Sequence, residues 1–389
     1  DGATCPSDDV STPAAQQKAY QLLTDKGLIR IGLAIPTNAK FTVSVLSDPY
    51  GCNTDPTTGL TSPTSGIVSV YRRPLPSTNL GFLSTIMWDG REPSLAHQAI
   101  DATLTHAQGN NAPTTAQQTQ TVNFESGIFT SQIFDNQALL LLAQPSQLTQ
   151  TVPIANTNNP VQCTEASVAQ SGGPFALAAL LPDFFIGVND PFGGNPCGTP
   201  FTGDIFDLYA NWENLPGNDP VSSFRKSVAR GEQVFNTKPI TITGVAGIND
   251  VLNQPSVIGN CGTCHDTPNI GDHSVKAPLN IGITDANPVS PLDVAGLPVF
   301  DVTCTDPSSR LFGKTLTVTD PGRALVSGKC ADIGKTKGPI LRGLAARAPY
   351  FHNGSAATLS DAVEFYDQRF NVGFTDQEKQ DLANFLATL

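Results

Sequence analysis

The chain has 389 residues, of which 39% are hydrophobic and 14% are charged, and it contains 34 glycines and 31 prolines. This length allows two or three domains, and the glycine and proline content indicates many irregular connections between their elements. The net charge of -12 makes nucleic acids and anionic membrane surfaces poor partners. No apolar run approaches the roughly 20 residues that cross a bilayer. The composition therefore indicates a loop-rich globular protein that suits a basic protein partner.

The N-terminal half alternates short helical and strand-like patterns. Hydrophobic periodicity predicts helices over about 13–24, 94–107 and 121–142, and strands over 29–35 and 41–46. Residues 144–200 are rich in Pro, Asn, Gly and Thr, a composition typical of ordered loop. This half of the chain therefore predicts few regular elements.

The C-terminal part carries clearer helix signals. Asp219 followed by Pro220 predicts a helix start, and Thr358 predicts another. Thr375 and Glu378 form a capping box before a helix with one apolar face. These helices flank a long irregular stretch.

Cys261, Cys264 and His265 form the spacing C-x-x-C-H, which is typical of covalent haem attachment. In such sites two thiols add to the vinyl groups of haem, and the histidine becomes the proximal ligand of the iron. A zinc site would need further ligands at short spacing, and only His273 stands nearby. A redox dithiol would need a βαβ context, which the flanks do not supply. One such motif occurs, so we expect one covalent haem c.

Six other cysteines form an even set, which fits an oxidising compartment with up to three disulfides. We expect the pairs Cys304–Cys330, Cys163–Cys197 and Cys5–Cys52, although six cysteines allow fifteen pairings and buried free thiols are the alternative. The chain opens without a basic or apolar leader, as a mature exported protein would after loss of its signal peptide. We therefore expect a periplasmic or extracellular bacterial protein.

The order of helix, haem motif, long loop and paired helices is that of a class I cytochrome c domain. We place a haem domain at 216–389 and an N-terminal domain at 1–215. We expect a mainly α protein with two cytochrome c-like domains, of which the N-terminal one is degenerate and loop-rich.

The haem domain resembles the bacterial di-haem cytochrome c peroxidase family, which includes MauG. The similar segments are 230–235, 261–265, 338–343, 348–354 and 358–366, and residues 87–95 resemble the W-D-G-R segment of the other domain. The family has a second C-x-x-C-H motif in its N-terminal domain, whereas Cys52 stands alone here. Gln108 occupies the place of the family's acid-base glutamate, and an amide cannot take and return a proton. The resemblance thus implies a divergent member without the usual peroxide site.

The resemblance implies that Tyr366 is the sixth ligand of the iron, where peroxidases have methionine and MauG-like members have tyrosine. Met87 is the only methionine and lies in the other predicted domain, which excludes a His/Met pair within the haem domain. A phenolate ligand would give a low reduction potential. Ordinary packing of Tyr366 on its helix face is the alternative.

The resemblance also points to residues around the haem. Trp88 matches the tryptophan between the family's redox centres and could relay an electron or simply pack. His352 lies in a turn that supports the haem surroundings. Arg342 and Arg347 could pair with haem propionates, with surface solvation as the alternative for Arg347. His97 and His106 could hold a non-covalent cofactor but are interpreted as solvated or supporting residues. The family's calcium ion cannot be assigned to residues of this chain.

Three functions follow from these patterns. The first is electron transfer by a mono-haem c-type cytochrome with His265/Tyr366 ligation and another electron carrier as redox partner. The second is a peroxide-dependent oxidoreductase that uses this haem with Trp88 as relay. The third is a structural or assembly subunit of a redox complex. Saturated coordination leaves no open position on the iron, which favours the first.

Overall fold

The computed structural model describes residues 3–6, 8–53, 66–80, 83, 86–128, 205–266 and 277–389, and the backbone of two-residue strands between 134 and 165. The predicted pair Cys163–Cys197 and His273 lie outside these residues.

Eight α-helices lie in the described segments: α1 (Pro13–Ala19), α2 (Gln21–Lys26), α3 (Leu95–Asp101), α4 (Thr115–Ser126), α5 (Pro220–Thr237), α6 (Ala324–Ser327), α7 (Leu359–Phe370) and α8 (Asp376–Leu386). The strands there are β1 (Ile29–Ala34), β2 (Phe41–Ser47), β3 (Ile67–Arg72), β4 (Phe134–Asp135), β5 (Leu139–Leu140), β6 (Pro153–Ile154), β7 (Thr164–Glu165), β8 (Ile240–Thr243), β9 (Ser256–Gly259), β10 (Val299–Cys304) and β11 (Thr315–Val318). No helix among them is long and apolar enough to cross a membrane.

The expectation of a mainly α protein is wrong, because the structure is 33% helical and 17% strand and contains several sheets. Strand β10 lies between β11 and β2 in an antiparallel three-stranded sheet, and β1–β3 and β8–β9 form two further pairs. In β10, Phe300, Val302 and Cys304 are buried while the residues between them are partly exposed. The sequence predicts a long loop between the haem motif and the paired helices, and this alternation of buried and partly exposed residues places a strand within it.

The β2–β10 pairing joins chain segments from both sides of the predicted boundary at residue 215. Apolar side chains of this sheet form a buried cluster with those of β3, including Phe41, Val43, Val70 and Phe300. The disulfide Cys304–Cys330 lies in the same cluster, and Cys5 is bonded to Cys52, so two of the predicted pairings are confirmed.

The predicted C-terminal helices are confirmed together with their caps. Asp219 accepts hydrogen bonds from the first turn of α5, and Thr358 and Thr375 form capping boxes at α7 and α8. Helix α5 packs closely on α8 at Gly231, where an added Cβ would lie 2.0 Å from the carbonyl oxygen of Asp381. This pair of helices forms one wall of the site.

The N-terminal elements differ more from expectation. The helix predicted over 13–24 is interrupted at Tyr20 and forms α1 and α2. Helix α3 continues into a π-helical turn, Ala102–His106, and α4 begins six residues before the predicted helix over 121–142. Strands β1 and β2 match their predicted ranges closely.

Candidate haem site

A deep apolar cavity lies among α5, α7, α8 and β8. The empty space between its walls measures about 1630 Å³, with the open mouth included. Its walls are mainly aliphatic and aromatic, with contributions from Phe235, Ile240, Ile242, Leu279, Leu341, Val363, Phe370 and Leu382. Such a cavity, with a few polar groups at defined points, suits a flat and largely apolar cofactor.

Cys261, Cys264 and His265 lie together on this wall. The motif folds as a 3₁₀ turn, Cys261–Thr263, and the Asn260 side chain accepts a hydrogen bond of 3.1 Å from the Thr263 N–H. Neither cysteine forms a disulfide. Burial raises the pKa of both thiols to about 12, with a further contribution from neighbouring charge. The structure therefore presents two protonated thiols and an imidazole to one cavity.

The turn is tightly packed from behind at Gly262. An added Cβ there would lie 2.4 Å from a side-chain carbon of Ile205. Only glycine fits this approach, because real Cβ atoms do not come so close to a neighbouring carbon. Ile205 thus fixes the position of the turn that carries the thiols.

Tyr366 reaches the same cavity from α7. Its ring stacks on Phe370, with centroids 6.3 Å apart, and contacts Phe351 and Phe365. Burial raises the pKa of its phenol, and the neighbouring Cys264 and Cys261 raise it further. The hydroxyl is therefore neutral unless a positive charge enters the cavity beside it.

Trp88 lines the cavity from the N-terminal half of the chain. Its indole Nε1 donates to the Arg73 carbonyl oxygen at 2.8 Å, and its own carbonyl accepts from the Lys337 N–H at 2.6 Å. The first bond orients the indole, and the second fixes the Trp88 backbone to the segment that carries Lys337.

His352 lies behind Trp88, with ring centroids 6.2 Å apart, and does not belong to the cavity wall among the described residues. It is fully buried, and its Nε2 lies 3.6 Å from Oδ2 of Asp320. Burial lowers the pKa of His352 to about 4, although Asp320 opposes this shift. The ring is therefore neutral at pH 7, and its role in haem binding stays a prediction.

A buried ion network surrounds His352. The Arg72 guanidinium donates to both Asp320 and Asp89, with Nε 2.7 Å from Oδ2 of Asp320. Burial alone would lower the pKa of Arg72, but the two carboxylates raise it overall. The same pairing holds the pKa of each carboxyl below its usual value against the effect of burial. The network ties β3, the Trp88 loop and the segment after β11 together.

Three cationic side chains line the cavity: Arg73, Lys337 and Arg347. The described part of the wall contains no Asp or Glu. Nη1 of Arg347 is buried without a hydrogen-bond partner in the described structure. Burial and then the charge of Arg347 lower the pKa of Lys337 to about 8. This end of the cavity therefore favours a bound anion.

The structure places some of the predicted site residues on the cavity wall and others away from it, and it shows two wall residues that were not predicted. Arg347 is on the wall, whereas Arg342 is buried elsewhere. Lys337 and Arg73 were missed: Lys337 directly precedes the recognised segment 338–343, but nothing in the sequence around Arg73 indicates a site. His97 lies on α3 in a contact with Glu92, away from the cavity wall.

The residues present fit a covalently attached haem. Two reduced thiols three positions apart, a following imidazole, apolar walls and cations at one end match its vinyl groups, iron, ring and two propionates. Each chemical part of haem thus has a matching group on the wall.

No family model matches the chain. Over part of its length it is similar to proteins named as cytochrome c peroxidases. It is 33% identical over 140 residues to cytochrome-c peroxidase IdrP2 of Denitromonas iodatirespirans, which is 34% of this chain and 36% of that protein. It is 42% identical over 69 residues to cytochrome c551 peroxidase of Nitrosomonas europaea, which is 18% of this chain and 21% of that protein. The matches thus span about a third of the first relative and about a fifth of the second.

A solved MauG-like protein associated with microbial copper homeostasis aligns over 84% of this chain and 77% of its own. The sequence identity is 16% and the TM-score 0.35, too low to establish a common fold. The sequence similarities support a relation to proteins named as cytochrome c peroxidases and a haem-related redox function. They also imply haem c as the cofactor.

Proposed function

We propose that this chain is an exported mono-haem c-type cytochrome that acts in electron transfer. Cys261 and Cys264 would anchor the haem, and His265 and Tyr366 would hold its iron. The observation that carries the proposal is the convergence of these four side chains on one apolar cavity. The single C-x-x-C-H motif supports one haem per chain.

The bound haem would supply a one-electron redox couple. Tyr366 would hold the iron through its phenol oxygen in the phenolate form, because a buried phenolate needs a cation beside it. A phenolate favours the oxidised state, so a low reduction potential is expected. Arg347, Lys337 and Arg73 would neutralise the propionates, and the apolar walls would keep water away from the ring.

The partner that fits best is a basic electron carrier, because the chain has a net charge of -12. Two disulfides and thioether attachment suit an oxidising compartment, which supports a periplasmic or extracellular location. Trp88, on the cavity wall, would extend the electron path toward the N-terminal half.

Peroxide-dependent oxidation is the second candidate. It is favoured by the similarity to proteins named as peroxidases and by an indole that lines the cavity. It requires an open coordination position on the iron, which a Tyr366 ligand would close. Whether or not Tyr366 is a ligand of the iron therefore distinguishes the two candidate functions.

The test is the visible and electron paramagnetic resonance spectrum of the ferric protein, before and after hydrogen peroxide. We expect a six-coordinate spectrum with a phenolate charge-transfer band that peroxide does not change. Tyr366→Phe should abolish the band and open the iron to added cyanide or peroxide.

The matched control is Tyr350→Phe, because Tyr350 also lines the cavity but donates its hydroxyl to the Leu344 carbonyl at 2.8 Å. It should keep the parent spectrum. A five-coordinate spectrum in the parent, or rapid spectral change with peroxide, would contradict electron transfer and support the second candidate.

A further inference from the structure

Glu92, His97 and Asp101 bring three metal-binding groups together outside the haem cavity. One oxygen or nitrogen of each lies within 4.8 Å of the others. Nδ1 of His97 is 2.6 Å from Oε2 of Glu92. His97 and Asp101 are four residues apart on α3, so they share one face of the helix.

The Glu92 carboxylate is the unusual member of this cluster. It is 2% exposed, and among the described residues the only side chain bonded to it is that of His97. A buried carboxylate is costly unless a positive charge compensates it. The site therefore attracts positive charge at the point where the three groups meet.

We propose that Glu92, His97 and Asp101 bind a divalent transition-metal ion of the zinc class. Two carboxylates and one neutral imidazole would balance the two positive charges of the ion. One nitrogen and two oxygen ligands suit zinc and its neighbours better than calcium or magnesium, which prefer oxygen alone.

The geometry needs little change to accept the ion. Ligands at about 2.1 Å from a tetrahedral zinc lie about 3.4 Å apart. The His97–Glu92 contact must open from 2.6 Å by less than about 1 Å, and Asp101 must close from at most 4.8 Å. The side chain of His97 is 55% exposed, which leaves a path for the ion and room for a water ligand.

The cluster lies next to the loop that brings Trp88 to the cavity. Ile86 and Glu92 pair as an isolated β-bridge, and Trp88 lies between them in the chain. An ion at Glu92 would therefore bind at the base of the same loop. The proposed ion would thus lie beside the loop of Trp88, through which we propose that electrons pass. Binding of the ion does not depend on the haem ligands.

The experiment is calorimetric titration of zinc chloride into haem-loaded protein that has first been treated with chelator and desalted. We expect one bound ion per chain, and affinity at least about tenfold weaker in His97→Gln and in Asp101→Asn. His106→Gln is the matched control, because it removes an exposed histidine from the adjoining π-helical turn, and it should leave affinity unchanged. Magnesium chloride should give no comparable heat.

Unchanged zinc affinity in both cluster variants would overturn the proposal, as would an equal loss in His106→Gln. Tighter binding of magnesium than of zinc would overturn the assigned class of ion. The cluster variants change exposed or half-buried side chains, and equal unfolding temperatures in chelator would show that they remain folded. An unchanged haem spectrum in every variant keeps this result separate from the proposed function.

Discussion

Replacement of His352 by a residue that does not titrate should reduce the loss of folding stability at acid pH. The ring is fully buried, and burial lowers its pKa from 6.5 to about 4. Between these two values the unfolded chain binds a proton that the folded chain excludes, so stability falls as the pH drops through this window. The difference of about 2.5 pH units corresponds to about 3 kcal/mol of unfolding free energy, fully lost below pH 4.

Urea unfolding of the haem-loaded protein at pH 7, 6, 5 and 4 measures this loss. His352→Phe keeps a ring against Trp88 and cannot titrate, so its stability should fall by about 3 kcal/mol less than that of the parent between pH 7 and pH 4. His106→Gln, at an exposed site, should follow the parent. Parallel curves for the parent and His352→Phe would refute the assignment of a buried neutral imidazole.

Three further changes test the packing around the site, each by denaturant unfolding at pH 7. Arg72→Met should cost about 3–5 kcal/mol because it leaves the buried Asp320 without its cation and Asp89 with Arg91 alone; a cost under 1 kcal/mol would contradict this. Cys330→Ser should cost about 3 kcal/mol, since the bridge to Cys304 closes a separation of 26 residues; equal stability of parent and variant under reducing conditions is the control. Gly231→Ala should cost about 1–3 kcal/mol by forcing α5 from α8, and a neutral result would show that the helices can separate freely.

The helices near the haem motif could be predicted because their signals are local. Asp219, Thr358 and Thr375 each cap the turn that follows them, and no distant contact is needed to recognise such a cap. Strand β10 was missed because its pattern gains meaning only through pairing with β2, about 250 residues away, and β11 in turn pairs with β10. The three-stranded sheet therefore depends on long-range pairing, which local sequence patterns do not indicate.

In the candidate site too, the residues with a local sequence signal could be predicted and those brought together from distant segments could not. The C-x-x-C-H spacing is complete within five residues, so the sequence alone indicates the chemistry of Cys261, Cys264 and His265. Arg73 and Lys337 are 264 positions apart and meet at the cavity only because the N-terminal segment packs on the C-terminal one. No local pattern could indicate that these cations line the same wall.

Mass spectrometry of the intact, denatured protein tests the central claim most directly, because thioether bonds survive denaturation whereas non-covalent haem is lost. The account predicts a mass increase equal to one haem per chain, which disappears when Cys261 and Cys264 are both replaced by alanine. A chain with no covalent haem, with two, or with one that persists after both replacements would contradict it.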